Sequence, residues 1–134
     1  MRLVWALRRA GSGAEEERRS PPPIRQTAAR RVDEYIRANL SSPLPMRDLV
    51  QISGVRERAL QSGFQDLFGH SPKAHVTILR LNGVRTRLHA SESEETTVRE
   101  VANGFGFWHL GRFSAAYRRH FGDLPSETLR GRRS

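Results

Sequence analysis

The side chains with usable chemistry in this sequence are arginines, a glutamine and a few aromatics near the starts of two helical patterns. The planar guanidinium fork of Arg112 can bond two acceptors at once, as on guanine O6 and N7. Arg58 offers the same fork, and the Gln61 carboxamide can pair in bidentate fashion with adenine. Ser62, His109, Gly111 and Ala115 share the same outward positions. Trp108 could cover a thymine methyl or a sugar face, or act as a wedge sealing a helix start. For Arg112 the alternative is a phosphate or solvent contact. A second set could neutralise phosphates: Lys73, Arg80, Arg85, Arg87, Arg99, Arg118 and Arg119, with Thr97 offering a hydroxyl and backbone amides at a helix start. The plain alternative for each is a solvated face.

Other chemistries find no support. The 134 residues contain no cysteine, so there is no disulfide framework, thiolate metal site or Cys nucleophile. His70 and His75 are five apart while His89, His109 and His120 are scattered, which argues for surface or capping histidines and no metal. Glu92, Glu94 and Glu95 read as a solvated hinge. Neither a GxxxxGK[ST] phosphate loop nor a GxSxG elbow occurs. The expectation is a protein that is not an enzyme and takes no cofactor.

Charge points the same way. Lys and Arg number 23 against 14 Asp and Glu, a net +9, and dropping residues 1–22 still leaves +7. That excess suits a polyanionic partner, and contact with six to eight phosphates would give log K against log salt a slope of roughly −5 to −7. The longest apolar run, Leu3 to Leu7, is far short of the roughly 20 residues of a membrane span, so a cytoplasmic, nucleoid-associated protein without membrane contact is expected.

The elements that must position these residues read as helices. Residues 1–23, with their glycines, acidic run and prolines, read as a linker or tail. Ile24, Ala28, Val32, Tyr35, Ile36 and Leu40 trace an amphipathic helix ended by Ser41, Ser42 and Pro43. A short helix over about 46–53, a break at Gly54 and a helix over about 56–68 follow. Ser71-Pro72 opens a long helix to about Ala90. Thr97 and Glu100 have the spacing of a capping box, starting another short helix.

The chain also repeats itself. Phe64, Phe68, Gly69 and Pro72 recur 53 residues later as Tyr117, Phe121, Gly122 and Pro125, whereas Gly54-Val55 recurs 52 later as Gly106-Phe107. Each copy reads as a short helix, a glycine turn, a longer helix and an exit signal, that is, a helix-turn-helix. Phe107 then points into the seam between helices, Ala102 is small enough to let them close, and Phe113 and Tyr117 face the core. Two such units, over about 46–69 and 97–122 and joined by a linker helix over about 72–90, could meet two successive grooves on one face of B-DNA, about 34 Å apart.

On these residues the sequence resembles the AraC/XylS family of bacterial transcription regulators, in its C-terminal DNA-binding domain. The resemblance spans residues 24–131. It is most specific at Val101-Ala102-Asn103-Gly104-Phe105-Gly106-Phe107, Arg112-Phe113, Tyr117-Arg118-Arg119, Phe121-Gly122 and Pro125-Ser126-Glu127. The first unit, with Gly54-Val55, Ala59-Leu60, Phe64, Phe68-Gly69 and Ser71-Pro72, resembles the family's more variable half. The resemblance implies an all-α, homeodomain-like domain of about seven helices that inserts two recognition helices into adjacent major-groove segments of an asymmetric site of about 20 base pairs. It implies double-stranded DNA as partner, RNA polymerase as a possible second one, and an effector or dimerisation domain for which this chain has no room.

Four residues depart from the family pattern. Arg56 replaces a capping Ser, Val50 a small Ala, and Leu124 a polar residue, while Gly63 sits mid-helix at an expected cost of about 1 kcal/mol relative to Ala. A weaker first unit keeps two alternatives open: a helical protein-interaction module, or a nonspecific nucleic-acid binder.

Overall fold

The computed structural model describes residues 21–91 and 94–133, the side chains of 132 and 133 excepted; the first 20 residues of the tail expected over 1–23, and Glu92, lie outside the described residues. Among the described residues there are seven α-helices and no strand: α1 Pro22–Ala38, α2 Met46–Ser53, α3 Glu57–Phe68, α4 Pro72–Ala90, α5 Val98–Gly104, α6 Leu110–Phe121 and α7 Pro125–Arg133. Helix α1 starts two residues before Ile24. Pro22 and Pro23 fill its first positions, where no backbone N–H is needed, and the Pro21 carbonyl accepts from the amides of Ile24 and Arg25. None of the helices is long and apolar enough to cross a membrane.

The helices divide into two compact units. One holds residues 21–36 and Pro45–His75, the other Arg37–Leu44 and 76–133, so α4 gives its first turn to the first unit and the rest to the second.

In the first unit the buried apolar residues are Ala28, Ala29, Val32 and Ile36 of α1, Leu49 of α2 and Ala59, Leu60 and Phe64 of α3. Gly63 belongs to this packing. A Cβ there would run into the backbone carbonyl of Arg25, so the glycine is what lets α3 approach α1, and the Arg25–Asp66 pair at 2.8 Å closes the same crossing. The cost expected for Gly63 from helix propensity is therefore outweighed by close approach.

His75 is not at the surface. It is 4% exposed, packed against Phe64 and Phe68, with Nε2 2.6 Å from Asp33 Oδ1 and Nδ1 2.8 Å from His70 Nε2. A carboxylate only accepts, so His75 donates from Nε2, while its Nδ1 shares a hydrogen bond with His70 Nε2. Both ring nitrogens of His75 are thus occupied, and no metal-holding group of three His, Asp or Glu occurs among the described residues. Burial, and then the neighbouring His75, hold the His70 pKa below its ordinary 6.5.

In the second unit Leu81, Val84 and Leu88 of α4 form a core with Val101 and Ala102 of α5, Phe113 and Tyr117 of α6, and Leu129 of α7. Gly83 leaves room for the Phe105 ring. The Tyr117 hydroxyl donates to Thr128 Oγ1 at 2.8 Å, and that hydroxyl donates to Asp123 Oδ2 at 2.8 Å. Arg85 completes the clasp, with Nη1 3.0 Å from Asp123 Oδ1 and Cζ 4.5 Å over the Phe121 ring. Hydrogen bonds from Thr128 and Arg85 hold the Asp123 carboxyl below its usual range.

Two outcomes are expected. Gly63→Ala should lower unfolding stability by about 1–3 kcal/mol, the cost of overpacking, instead of gaining the propensity difference; urea denaturation measures it. Unfolding should also take up a proton at His70 between its lowered folded pKa and 6.5. Stability then falls with pH through that window, and the drop in urea midpoint from about pH 7.5 to about pH 5.5 should shrink in His70→Gln.

Candidate nucleic-acid interface

The two turns that present the candidate reading helices differ by one residue between the glycine and the helix that follows it. In the first unit α2 ends at Ser53, Gly54 takes φ 76°, and Val55 and Arg56 lead into α3. In the second α5 ends at Gly104, Gly106 takes φ 90°, and Phe107, Trp108 and His109 lead into α6. The extra residue accounts for the change of repeat offset from 52 to 53. Since Phe107 packs on the core as Val55's counterpart and His109 takes the N-cap position, Trp108 is the looped-out residue, and it is 76% exposed. It therefore does not seal the helix start.

Caps distinguish the two helices further. Arg56 makes no side-chain cap to α3, as the missing hydroxyl at that position implies. His109 does cap α6: its Nδ1 accepts from the Arg112 amide at 3.1 Å. That role needs an unprotonated Nδ1, so the neutral ring carries its proton on Nε2 and has only a donor left to offer. Histidine is not among the usual capping residues, so its position in the sequence does not by itself separate a cap from a surface contact.

Helical period decides the exposed face. Phe113 and Tyr117 are 1% and 0% exposed, which turns Gly111, Arg112, Ala115, Arg118 and Arg119 outward. An open groove of about 490 Å³ runs along this face, lined by Trp108, Arg112, Ala115 and Arg119 among others. No acidic residue occupies the first turn of α6, and Arg118, Arg119 and His120 occupy its last. On α3 the outward residues are Arg58 and Gln61, with Ser62 half-buried. Gln61 Nε2 donates to Glu57 Oε2 at 3.1 Å, so its carboxamide is engaged within the helix and a carboxylate stands beside it.

The expected phosphate contacts divide. Lys73, Arg87, Arg99, Arg118 and Arg119 lie on the surface. Arg80, Arg85 and Thr97 also make hydrogen bonds within the fold. Arg80 donates from Nε to the Leu40 carbonyl at 3.0 Å and from Nη2 to the Ser42 carbonyl at 2.6 Å, with its guanidinium against Gly106; burial lowers its pKa. Ser41 Oγ donates to the Gly104 carbonyl at 2.9 Å, so residues 40–42 and Arg80 brace the turn from two sides. Arg85 belongs to the Asp123 clasp, which raises its pKa. The expected capping box is present: Thr97 Oγ1 accepts from the Glu100 amide and Glu100 Oε1 accepts from the Thr97 amide, both at 3.1 Å.

If His109 caps α6, His109→Ala should cost about 1 kcal/mol of stability in urea denaturation, while His109→Asn, which keeps an acceptor at the cap, should cost much less.

Comparison with known proteins follows this geometry. The family described as "Helix-turn-helix domain" matches residues 49–131. A probable thc operon regulatory protein of Rhodococcus erythropolis is 34% identical over 110 residues, 82% of this chain and 33% of the relative. XylDLEGF operon transcriptional activator 3 of Pseudomonas putida is 35% identical over 103 residues, 77% of this chain and 31% of its own. The chain thus spans about a third of these relatives' length. Among solved structures, a probable AraC family transcriptional regulator from Rhodopseudomonas palustris superposes with TM-score 0.72 at 37% identity, covering 81% of this chain and 99% of that one. An AraC-type DNA-binding regulator from Chromobacterium violaceum gives 0.73 at 28% identity, covering 80% and 93%.

Proposed function

The chain belongs to the AraC/XylS family of helix-turn-helix transcription regulators, and from that footing we propose that it binds duplex DNA sequence-specifically, α3 and α6 each entering one of two adjacent major-groove segments. The observation that carries this reading is that each unit exposes the outer face of a 12-residue helix to solvent, with Arg112, or Arg58 and Gln61, near the helix start. Side chains there reach base edges, while later positions meet the backbone.

In this reading Arg112 takes a guanine edge, and Trp108, His109, Gly111 and Ala115 line the same groove wall. Arg58, Gln61 and Ser62 serve the first half-site, where Gln61 must leave Glu57 to pair with adenine. Lys73, Arg87, Arg99, Arg118 and Arg119 take phosphates. Arg80 and Arg85 position the second unit, and Thr97 starts α5. The reading gives the chain no catalytic step and no metal. RNA polymerase, and an effector or dimerisation domain, would be partners of the regulator as a whole, which would act in the cytoplasm on the nucleoid.

Two variants test the division of labour, using a duplex selected from a random pool with the full chain. Arg112→Ala should relax preference at one base pair, at a cost of about 1–3 kcal/mol on the preferred site. Arg118→Ala should weaken all sequences alike and reduce the salt slope by about one. Enrichment of no motif at physiological salt would overturn the reading in favour of a protein-contact module.

A further inference from the structure

Trp108 has no work to do inside the protein. It is the extra residue of the second turn, it lies outside the core, and its indole is 76% exposed. It also walls the groove along α6, whose remaining lining alternates in character. Arg112 stands near one end and Arg119 near the other, seven residues or about 10 Å along the helix. Between them in sequence, Ala115 and Ala116 line the groove with methyl groups, and the buried Phe113 also lines it. No acidic residue lines the groove.

A small apolar seat between two cations has a natural complement in the major groove. Both ends suit polyanionic DNA, and Arg112, at the helix start, suits a guanine edge. The middle suits an apolar group held beside that edge. Of the four bases only thymine offers one there, its 5-methyl group, and burying it against alanine and indole is favourable where a polar edge would lose hydrogen bonds to water.

We propose that the groove formed by Trp108, Ala115 and Ala116 seats the methyl group of a thymine adjacent to the guanine read by Arg112. This rests on the DNA-reading function above and adds to it the identity of a neighbouring base and the group that is recognised.

The test uses the full chain and its selected duplex. Each thymine is replaced in turn by deoxyuridine, which removes the methyl and leaves every hydrogen-bonding group in place. One replacement, next to the base pair whose preference depends on Arg112, should weaken binding about four-fold, the worth of one buried methyl. In Trp108→Ser, an exposed position that the fold does not need, the thymine-to-uracil ratio at that site should fall to about one. A selected motif in which no such replacement matters, or in which Trp108→Ser leaves the penalty unchanged, would overturn the methyl seat while the DNA-reading function stands. No selected motif at all would overturn both.

Discussion

A reading helix must bury one side completely in order to leave the other side defined. In α6 this is done by Phe113 and Tyr117, which are fully packed against α4, α5 and α7. With those two positions inside, the helical period places Arg112, Ala115 and Arg119 outside, and no rotation of the helix can change that without exposing an aromatic core. Ala102, fully buried, lets α5 and α6 close at the required angle, and Gly106 supplies the positive φ of the turn between them. Everything assigned to the outer face depends on this burial. A helix free to roll would present an average of its faces and could not distinguish bases.

Much of this was legible in the sequence because it follows from short-range rules. The glycine turns, the Thr97–Glu100 capping box and the proline helix starts involve partners within a few residues, and the repeat exposes the two units directly. The outward set of α6 could be read from periodicity alone. What sequence reading could not supply is which arginine is spent inside the fold. Arg80 and Arg85 carry the same charge as Arg118, but their acceptors, Leu40, Ser42 and Asp123, lie 38 to 40 positions away. Gly63 is similar: propensity sees a poor helix former, whereas the carbonyl of Arg25 that makes it necessary is on another helix. His75 is five residues from His70, but Asp33, the partner of its other ring nitrogen, is 42 positions away on another helix.

The two units are built alike but equipped differently. The first lacks a side-chain cap on its outward helix and places Glu57 beside Gln61, whose carboxamide donates to it. The second has a capped helix, no acid in the first turn and an indole standing free at its entrance. Under the proposed function this asymmetry would give most of the charge-driven and apolar contact to the second half-site and leave the first a smaller set of polar contacts.

The central claim is that both units engage one duplex together. Hydroxyl-radical footprinting of the full chain on its selected site tests it most directly. The account predicts two protected clusters on one face, about one helical turn apart, with that of the second unit the stronger. A single protected cluster, or protection spread evenly along the duplex, would contradict it.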